Sequence, residues 1–176
     1  VFGQELQLPS GNQYLADSEF LIMPTYAGIG NNVRVRLSAT SQWVGLKEAP
    51  DYQSLSGDMR LGNRSGLGLS LYNDRNGYTK QMGAKATFSH HLTLDSYDSH
   101  FVSFGISYLV NAFRIDIDKF TEAGRPRADA AVTDNRAMIN HNFEVGVLYR
   151  YKGIFASLAA TNILNKNKEM FDVKEP

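Results

Sequence analysis

Apolar and polar residues alternate between Val33 and Trp43, and this alternation predicts a strand with two different faces. Every second residue up to Leu37 is a valine or a leucine, and Trp43 keeps this parity, whereas Arg34 and Arg36 have the other parity. Because successive side chains of a strand point to opposite faces, one face is apolar and the other is polar. A half-buried strand of a soluble sandwich has a similar pattern, but a Trp at the end of the apolar face is typical of a membrane strand that reaches the lipid headgroups.

The same alternation recurs along the chain in segments of about 8 to 12 residues, which are separated by clusters of Gly, Asn, Asp and Pro. Helical periodicity is nearly absent. We therefore predict an all-β fold, an antiparallel up-and-down transmembrane β-barrel whose strands are joined mostly by short turns, such as those at 45–51, 62–65 and 73–77. About seven strands are expected, the later ones at 52–61, 66–73, 80–90, 101–110, 142–150 and 153–161.

The placement of charges and aromatic residues favours a barrel with a watery interior. The charged residues within the predicted strands share the parity of small and polar neighbours: Arg34, Arg36, Asp58, Arg60, Lys85, Glu144 and Arg150. Aromatic residues lie near the segment ends, where an interfacial girdle requires them: Trp43, Tyr52, Tyr72, Phe88, Tyr149 and Tyr151. Taken alone, each aromatic residue is better explained as a core residue of a soluble sandwich, but the set favours the barrel.

Composition excludes several classes of protein. The 176 residues include 18 basic and 18 acidic side chains, and this balance argues against nucleic-acid binding, which needs a basic surplus. The chain contains no cysteine, so it has neither disulfides nor a thiolate metal site. No run approaches the roughly 18 apolar residues of a membrane helix. The mean hydropathy of −0.31 is compatible with a barrel, because every second barrel residue faces water.

The pattern divides the chain into three parts. Residues 1–24 form an N-terminal extension that is expected in the lumen or the periplasm, and residues 1–3 could be the end of a signal peptide. Residues 25–164 carry the strands, with a long loop at about 111–140 that could contain a short helix at 127–132. Residues 165–176 are a polar loop or tail without a strand pattern.

A count of seven strands does not fit a complete barrel, because single-chain bacterial outer-membrane barrels have an even number of strands. An unsealed sheet edge in hydrocarbon would leave backbone groups without hydrogen-bond partners. We therefore expect this sequence to be the N-terminal part of a larger barrel. The alternative is an eighth strand formed by Glu19 to Met23, although this stretch lacks alternation and ends at Pro24.

No catalytic constellation emerges from the sequence, and we expect no enzyme, no cofactor and no metal ion. His90 and His91 are adjacent and would point to opposite faces of a strand, so they cannot form a two-ligand site by themselves. A calcium site at Asp116, Asp118 and Glu122 is conceivable but lacks the Gly-bearing loop pattern. The Gly66-Leu67-Gly68 motif lies inside a strand and not before a helix, so it does not predict a phosphate cradle.

Short motifs follow one another in a characteristic order and spacing: Pro24-Thr25-Tyr26-Ala27-Gly28, Gln42-Trp43-Val44-Gly45 followed by Ala49-Pro50, and residues 66–74 followed by Gly77. Taken together, they resemble the PorP/SprF family of type IX secretion system outer-membrane proteins, and an SprF-like member in particular. The resemblance covers residues 13–164 and includes later segments at 101–105, 143–147 and 155–162. Two departures are local, since Met23-Pro24-Thr25 replaces the usual Asn-Pro and residues 140–142 replace the usual Pro-Asp. The motif residues are Pro24, Tyr26, Gly28, Gln42, Trp43, Gly45, Pro50, Gly66, Gly68, Asn73, Asp74 and Gly77.

The resemblance implies a non-enzymatic barrel of about 14 strands that crosses the bacterial outer membrane many times and contacts its lipid. It implies a role in type IX secretion or gliding, in which the barrel helps to secrete, hold or anchor a large adhesin at the cell surface. The expected partners are the C-terminal domain of that adhesin and components of the translocon or of its periplasmic rings, and no nucleic acid. The alternatives are a PorP-like link to those rings, a passive porin, and a soluble barrel that binds an apolar ligand.

Overall fold

The computed structural model describes residues 18–43, 45, 49–94, 100–115 and 136–164. These residues form one seven-stranded sheet in which each strand pairs antiparallel with the next along the chain. The all-β, up-and-down prediction is thus confirmed for a sheet that is open, as part of a barrel would be. The strands are β1 (Arg34–Ser41), β2 (Asp51–Leu61), β3 (Ser65–Asn76), β4 (Thr79–Thr93), β5 (His100–Ile115), β6 (Arg136–Tyr151) and β7 (Ile154–Ala160).

The register aligns like residues across the strands, so the sheet has two chemically distinct faces. One row runs through Met59, Leu67, Phe88, Ile106 and Val145 and belongs to the apolar face. The adjacent row belongs to the polar face and runs through Arg34, Asp58, Gly68, Thr87, Ser107 and Glu144. The alternation that the sequence shows within each strand is therefore continuous across the whole sheet.

The apolar face lies open across all seven strands. Exposed fractions reach 77% for Leu37 in β1, 53% for Leu69 in β3, 45% for Ile106 in β5 and 78% for Leu158 in β7. Among the residues that the structure describes, no segment packs over this face. An apolar surface that spans a whole sheet is far larger than the scattered apolar residues of a soluble protein, and it marks a contact with lipid or with another protein.

The polar face is partly covered by residues 18–29, which we name the inner segment. It consists of two short 3-10 helices, Glu19–Leu21 and Pro24–Tyr26, followed by a turn. Phe20, Thr25 and Ala27 are completely buried, so the core lies between this segment and the polar face. The alternative of an eighth strand at Glu19 to Met23 is therefore wrong, because these residues form internal 3-10 hydrogen bonds and do not pair with a strand of the described sheet.

Two predicted strand ends differ from the structure. Strand β1 ends at Ser41, and Trp43 lies in the following connection with a φ of +51°, so alternation along the strand does not place its ring. Strand β3 continues to Asn76, so the turn predicted at 73–77 is the two-residue turn Gly77-Tyr78. Gly77 has a φ of +61°, which a hairpin turn of the primed type requires at its first position.

The prediction of a long loop at about 111–140 is too wide at both ends. Strand β5 continues to Ile115 and strand β6 begins at Arg136, and the two strands pair over their full length. The possible helix at 127–132 and the possible calcium site at Asp116, Asp118 and Glu122 lie outside the described residues, as do residues 1–17 and 165–176. Within the described part of the chain, no helix is long and apolar enough to cross a membrane.

Candidate functional site

Glycines on the polar face form the floor on which the inner segment lies. The Phe20 ring lies on Gly68, where an added Cβ would come within 2.7 Å of the ring atom Cδ2. Gly66 lies against the carbonyl of Ala27, and Gly105 lies under the peptide group that joins Pro24 to Thr25. Real Cβ atoms essentially never approach other atoms this closely. These positions on β3 and β5 therefore allow the segment to contact the backbone of the sheet.

The segment ends in a turn that the sequence dictates. The N–H of Ile29 donates to the carbonyl of Tyr26 over 3.3 Å, Ala27 has φ −60° and ψ 127°, and Gly28 has φ +66°. These values describe a type II turn, whose third residue needs a positive φ and is therefore usually glycine. Gly28 also approaches the backbone of Gly66 closely, so a side chain at this position would be excluded by space as well as by conformation.

The carboxylate of Asp58 ties the start of β1 and the turn of the inner segment to β2. It accepts two hydrogen bonds from the Arg34 guanidinium, at 2.9 Å from Nε and 2.8 Å from Nη2. It also accepts a hydrogen bond of 3.0 Å from the backbone N–H of Gly28. Asp58 is only 4% exposed, and these three donors compensate the loss of water around its charge.

A buried ion pair lies at the centre of the polar face. The ammonium of Lys85 on β4 contacts the carboxylate of Glu144 on β6, across the intervening strand β5. The same ammonium donates to the carbonyl of Leu21 over 2.8 Å, at the end of the first 3-10 helix. Both side chains are almost fully buried. The pair therefore neutralises two charges inside the protein and fixes the inner segment to β4.

Ser89 and His91 on β4 bind the backbone of the inner segment. The hydroxyl of Ser89 donates to the carbonyl of Ala27, which also lies 3.0 Å from Nε2 of His91. Because a carbonyl only accepts, the Nε2 atom of His91 carries a proton, and Nδ1 accepts from the Ser103 hydroxyl over 2.8 Å. Both hydroxyls and both ring nitrogens are thereby engaged in structural bonds, and the cluster serves to hold a peptide.

The sheet continues beyond the inner segment with a second polar cluster on the same face. Tyr72 is only 7% exposed, and its hydroxyl donates to Oδ1 of Asn111 over 3.1 Å and accepts from Gln81. Its ring lies over Gly83, which leaves space for it. The placement of Tyr72 in an interfacial girdle is therefore wrong, since its parity in β3 is that of Gly66 and Gly68. Tyr52 likewise shares the parity of Asp58.

The motif residues predicted from the sequence fall into three places. Pro24, Tyr26, Gly28, Gly66 and Gly68 meet at the inner segment, with Pro24 buried against Gly105 and Tyr26 half-buried. Gln42, Trp43, Gly45 and Pro50 lie in the connection between β1 and β2, where the N–H of Gln42 donates to the Pro50 carbonyl over 3.0 Å. Asn73 and Asp74 lie on β3 near its end, next to Gly77 in the turn.

Sequence reasoning did not identify Asp58, Lys85, Ser89, His91 and Glu144 as residues that hold the inner segment. Their polar parity was visible, and buried charges among glycines and serines were the available signal. Their convergence was not visible, because it depends on the pairing of distant strands. In the described residues, no three His, Asp or Glu side chains are grouped as metal ligands would be. The arrangement is suited to binding a peptide segment by hydrogen bonds and close packing.

Comparison with known proteins gives one match. The family model described as type IX secretion system membrane protein PorP/SprF matches residues 3–176. No curated protein and no solved structure matches the chain. The match covers essentially the whole sequence, including the inner segment and all seven strands.

Proposed function

Because the chain belongs to the PorP/SprF family of type IX secretion system membrane proteins, we propose that it is a non-enzymatic barrel of the outer membrane that helps to secrete, hold or anchor a large surface adhesin. The observation that carries the proposal is the two-faced sheet. One face has an apolar central band that the described residues leave uncovered, and the other face is polar and holds a peptide segment.

The dimensions of the apolar face suit a membrane. In β5 the outward residues from Val102 to Ala112 are apolar or aromatic without interruption. At a rise of roughly 3.4 Å per residue this stretch is about 34 Å long. A strand tilt of about 40° reduces its height to about 26 Å, close to the apolar band of about 25 Å in outer-membrane barrels. The lipid of the outer membrane is thus the partner that we propose for this face.

The inner segment argues against a passive porin. A porin lumen is lined by polar side chains that face water, whereas here Lys85, Asp58, Ser89 and His91 bind the backbone of residues 18–29. A polar face that is occupied by the protein's own chain leaves less room for solutes. An occupied interior supports a role in holding other proteins, which does not require an open channel. The C-terminal domain of a secreted adhesin is the partner that we propose.

Two experiments test the proposal in sequence. The first separates the cell envelope and compares gel mobility with and without heating, and we expect the chain in the outer membrane with a mobility that heat changes. Recovery in the soluble fraction without detergent would contradict a membrane barrel and favour a soluble barrel that binds an apolar ligand.

The second experiment captures the tagged protein in mild detergent and identifies its partners by mass spectrometry. An unrelated outer-membrane barrel with the same tag is the control. We expect enrichment of an adhesin through its C-terminal domain, together with translocon components. Periplasmic ring components without an adhesin would favour the PorP-like link, and the absence of both would contradict a secretion role.

A further inference from the structure

Three basic residues lie side by side on the apolar face of the sheet, at the end where β3 and β4 meet. The register pairs Arg75 of β3 with Lys80 of β4, and Lys80 with Arg114 of β5. All three side chains are exposed. We name them the basic row. Asp51 of β2 lies opposite Arg75, and its carboxylate accepts a hydrogen bond from Gln53. The three positive charges of the basic row therefore have one negative charge beside them.

Like charges directly opposite each other on neighbouring strands destabilise a sheet, because their Cβ atoms are only about 4.5 to 5.5 Å apart. Two such pairs share Lys80 here. An anion with several oxygen atoms that bridges the three side chains would convert this repulsion into attraction. Phosphate fits this role, since guanidinium groups bind it through two parallel hydrogen bonds and an ammonium binds it as a point charge.

The basic row lies at the border of the apolar face. The next outward row towards the sheet centre is Asn73, Met82 and Ala112, and the row after it is Leu71, Ala84 and Val110. On the described outward positions of β3, β4 and β5, no other Lys or Arg occurs, and the basic residues Arg64 and Lys152 at the opposite end lie in connections between strands. Outward-facing cations within the strands at one border of an apolar band are placed where lipid headgroups begin on that side.

The lengths of the connections indicate which side this is. At the end with the basic row, the connections span residues 42–50, 77–78 and 116–135, whereas at the opposite end they span 62–64, 94–99 and 152–153. Outer-membrane barrels have longer loops outside and short turns in the periplasm. The basic row therefore belongs to the external side, where the outer leaflet consists of phosphorylated glycolipid.

We propose that Arg75, Lys80 and Arg114 form a binding site for the phosphate groups of this outer-leaflet glycolipid. The inference rests on the proposed outer-membrane location and adds a lipid ligand to it. The site would fix the depth and rotation of the barrel in the membrane, because the phosphates lie at a defined level above the acyl chains.

The test uses the full chain refolded in neutral detergent and titrated with lipid A that carries both phosphates. The variant Lys80→Gln/Arg114→Gln removes two charges from the row. The control Arg64→Gln/Lys152→Gln removes two exposed charges at the opposite end of the sheet. Because each basic residue near an anionic surface contributes about fivefold to binding, we expect the first variant to bind about 25-fold more weakly and the control to bind as the original chain does.

Two further measurements need no variant. The original chain is titrated with lipid A whose phosphates have been removed, and binding is expected to fall by a similar factor. Inorganic phosphate then competes with intact lipid A at constant ionic strength, and it is expected to displace the lipid only at concentrations far above that of the lipid. Displacement at equal concentrations would overturn the lipid as the ligand in favour of a free phosphate.

The proposed site is overturned if the two variants bind lipid A equally well. It is also overturned if the original chain binds lipid A with its phosphates and lipid A without them equally well. The same preparations are checked for membrane insertion by heat-dependent mobility. Insertion with unchanged lipid A binding refutes this inference alone, whereas a chain that remains soluble without detergent refutes the outer-membrane location as well.

Discussion

Gly105 on β5 lies where the inner segment packs on the sheet, and a methyl group at this position would block the contact. Its Cα lies directly beneath the peptide group between Pro24 and Thr25, and an added Cβ would come within 2.5 Å of the Thr25 nitrogen. The atoms in the way belong to backbone, which cannot rotate aside as a side chain can. The contact between the inner segment and the sheet therefore depends on glycine at this position.

We expect Gly105→Ala to lower the free energy of unfolding by about 1 to 3 kcal/mol, the usual cost of adding volume to a packed core. Urea unfolding, followed by heat-dependent gel mobility, measures the change. Gly30→Ala is the matched control, since its nearest neighbour would be 3.9 Å away and its φ is not positive. An unchanged stability of Gly105→Ala would show that the inner segment does not pack on β5 in solution.

The alternation of residues along the sequence predicted on which face of the sheet most side chains lie, but it did not predict which side chains contact each other. Lys85 and Glu144 were correctly placed on the polar face, yet their contact requires β5 to lie between them in a fixed register. Tyr72 was misjudged because its aromatic character was given more weight than its parity. Trp43 was misjudged because alternation was extended past the residue where the strand ends.

At the scale of elements, the sequence suggested the lumen or the periplasm for residues 1–24, but it revealed neither the structure nor the contacts of the inner segment. The apolar residues among residues 19–23 occur neither at every second position, as in a strand, nor at helical spacing, so the sequence predicts neither element here. The glycines on the opposing strands, such as Gly66 and Gly68, were the informative signal, since glycine in a strand often marks a place where another backbone comes close. Which segment comes close could not be read from them, because contacts between distant parts of the chain leave no local pattern.

A disulfide between residues 25 and 146 tests the position of the inner segment. An added Cβ at Gly146 would lie 3.3 Å from Cγ2 of Thr25, the atom whose place a cysteine Sγ can take. In a disulfide the Cβ of one cysteine lies about 3 Å from the Sγ of the other, so the pair can be bridged. The Thr25 hydroxyl is buried without a hydrogen-bond partner among the described residues, so its replacement loses no bond. We expect Thr25→Cys/Gly146→Cys to form the crosslink on mild oxidation, seen as a mobility change without reductant.

The natural chain contains no cysteine, so nothing competes with this pair. Thr25→Cys/Asn76→Cys is the control, because Asn76 is exposed at the far end of β3 and has no positive φ. Crosslinking in the control but not in the test pair would place the segment elsewhere.

At the scale of the whole molecule, the sequence predicted the two-faced meander because every strand obeys the same rule. The number of strands and the topology of neighbouring pairs followed from the turns alone. The sequence did not show how the two outer strands, β1 and β7, are joined to close a barrel. Since β1 and β7 are separated by an even number of antiparallel steps, they run in the same direction. Antiparallel closure therefore requires an odd number of additional strands between them.

The orientation of the sheet in the membrane can be tested by labelling single cysteines on intact cells. Asn76 is the last residue of β3, at the end of the sheet that carries the basic row, and Asn63 lies in the short connection between β2 and β3; both positions are exposed, and each is changed to cysteine in a separate variant. We expect a maleimide that cannot cross membranes to label residue 76 in intact cells and residue 63 only after permeabilisation. The reverse pattern would show that the short connections face outwards.

The inner segment has a consequence for the order of assembly. It precedes β1 in the chain but contacts β2 to β6, so its place on the sheet exists only after at least five further strands have paired. A sheet that closed first would form a wall around an empty interior, and the segment would then have to thread in from one end. In the proposed barrel, docking therefore comes before closure, and residues 18–29, although they precede every strand of the sheet, are fixed only after most of the strands have paired.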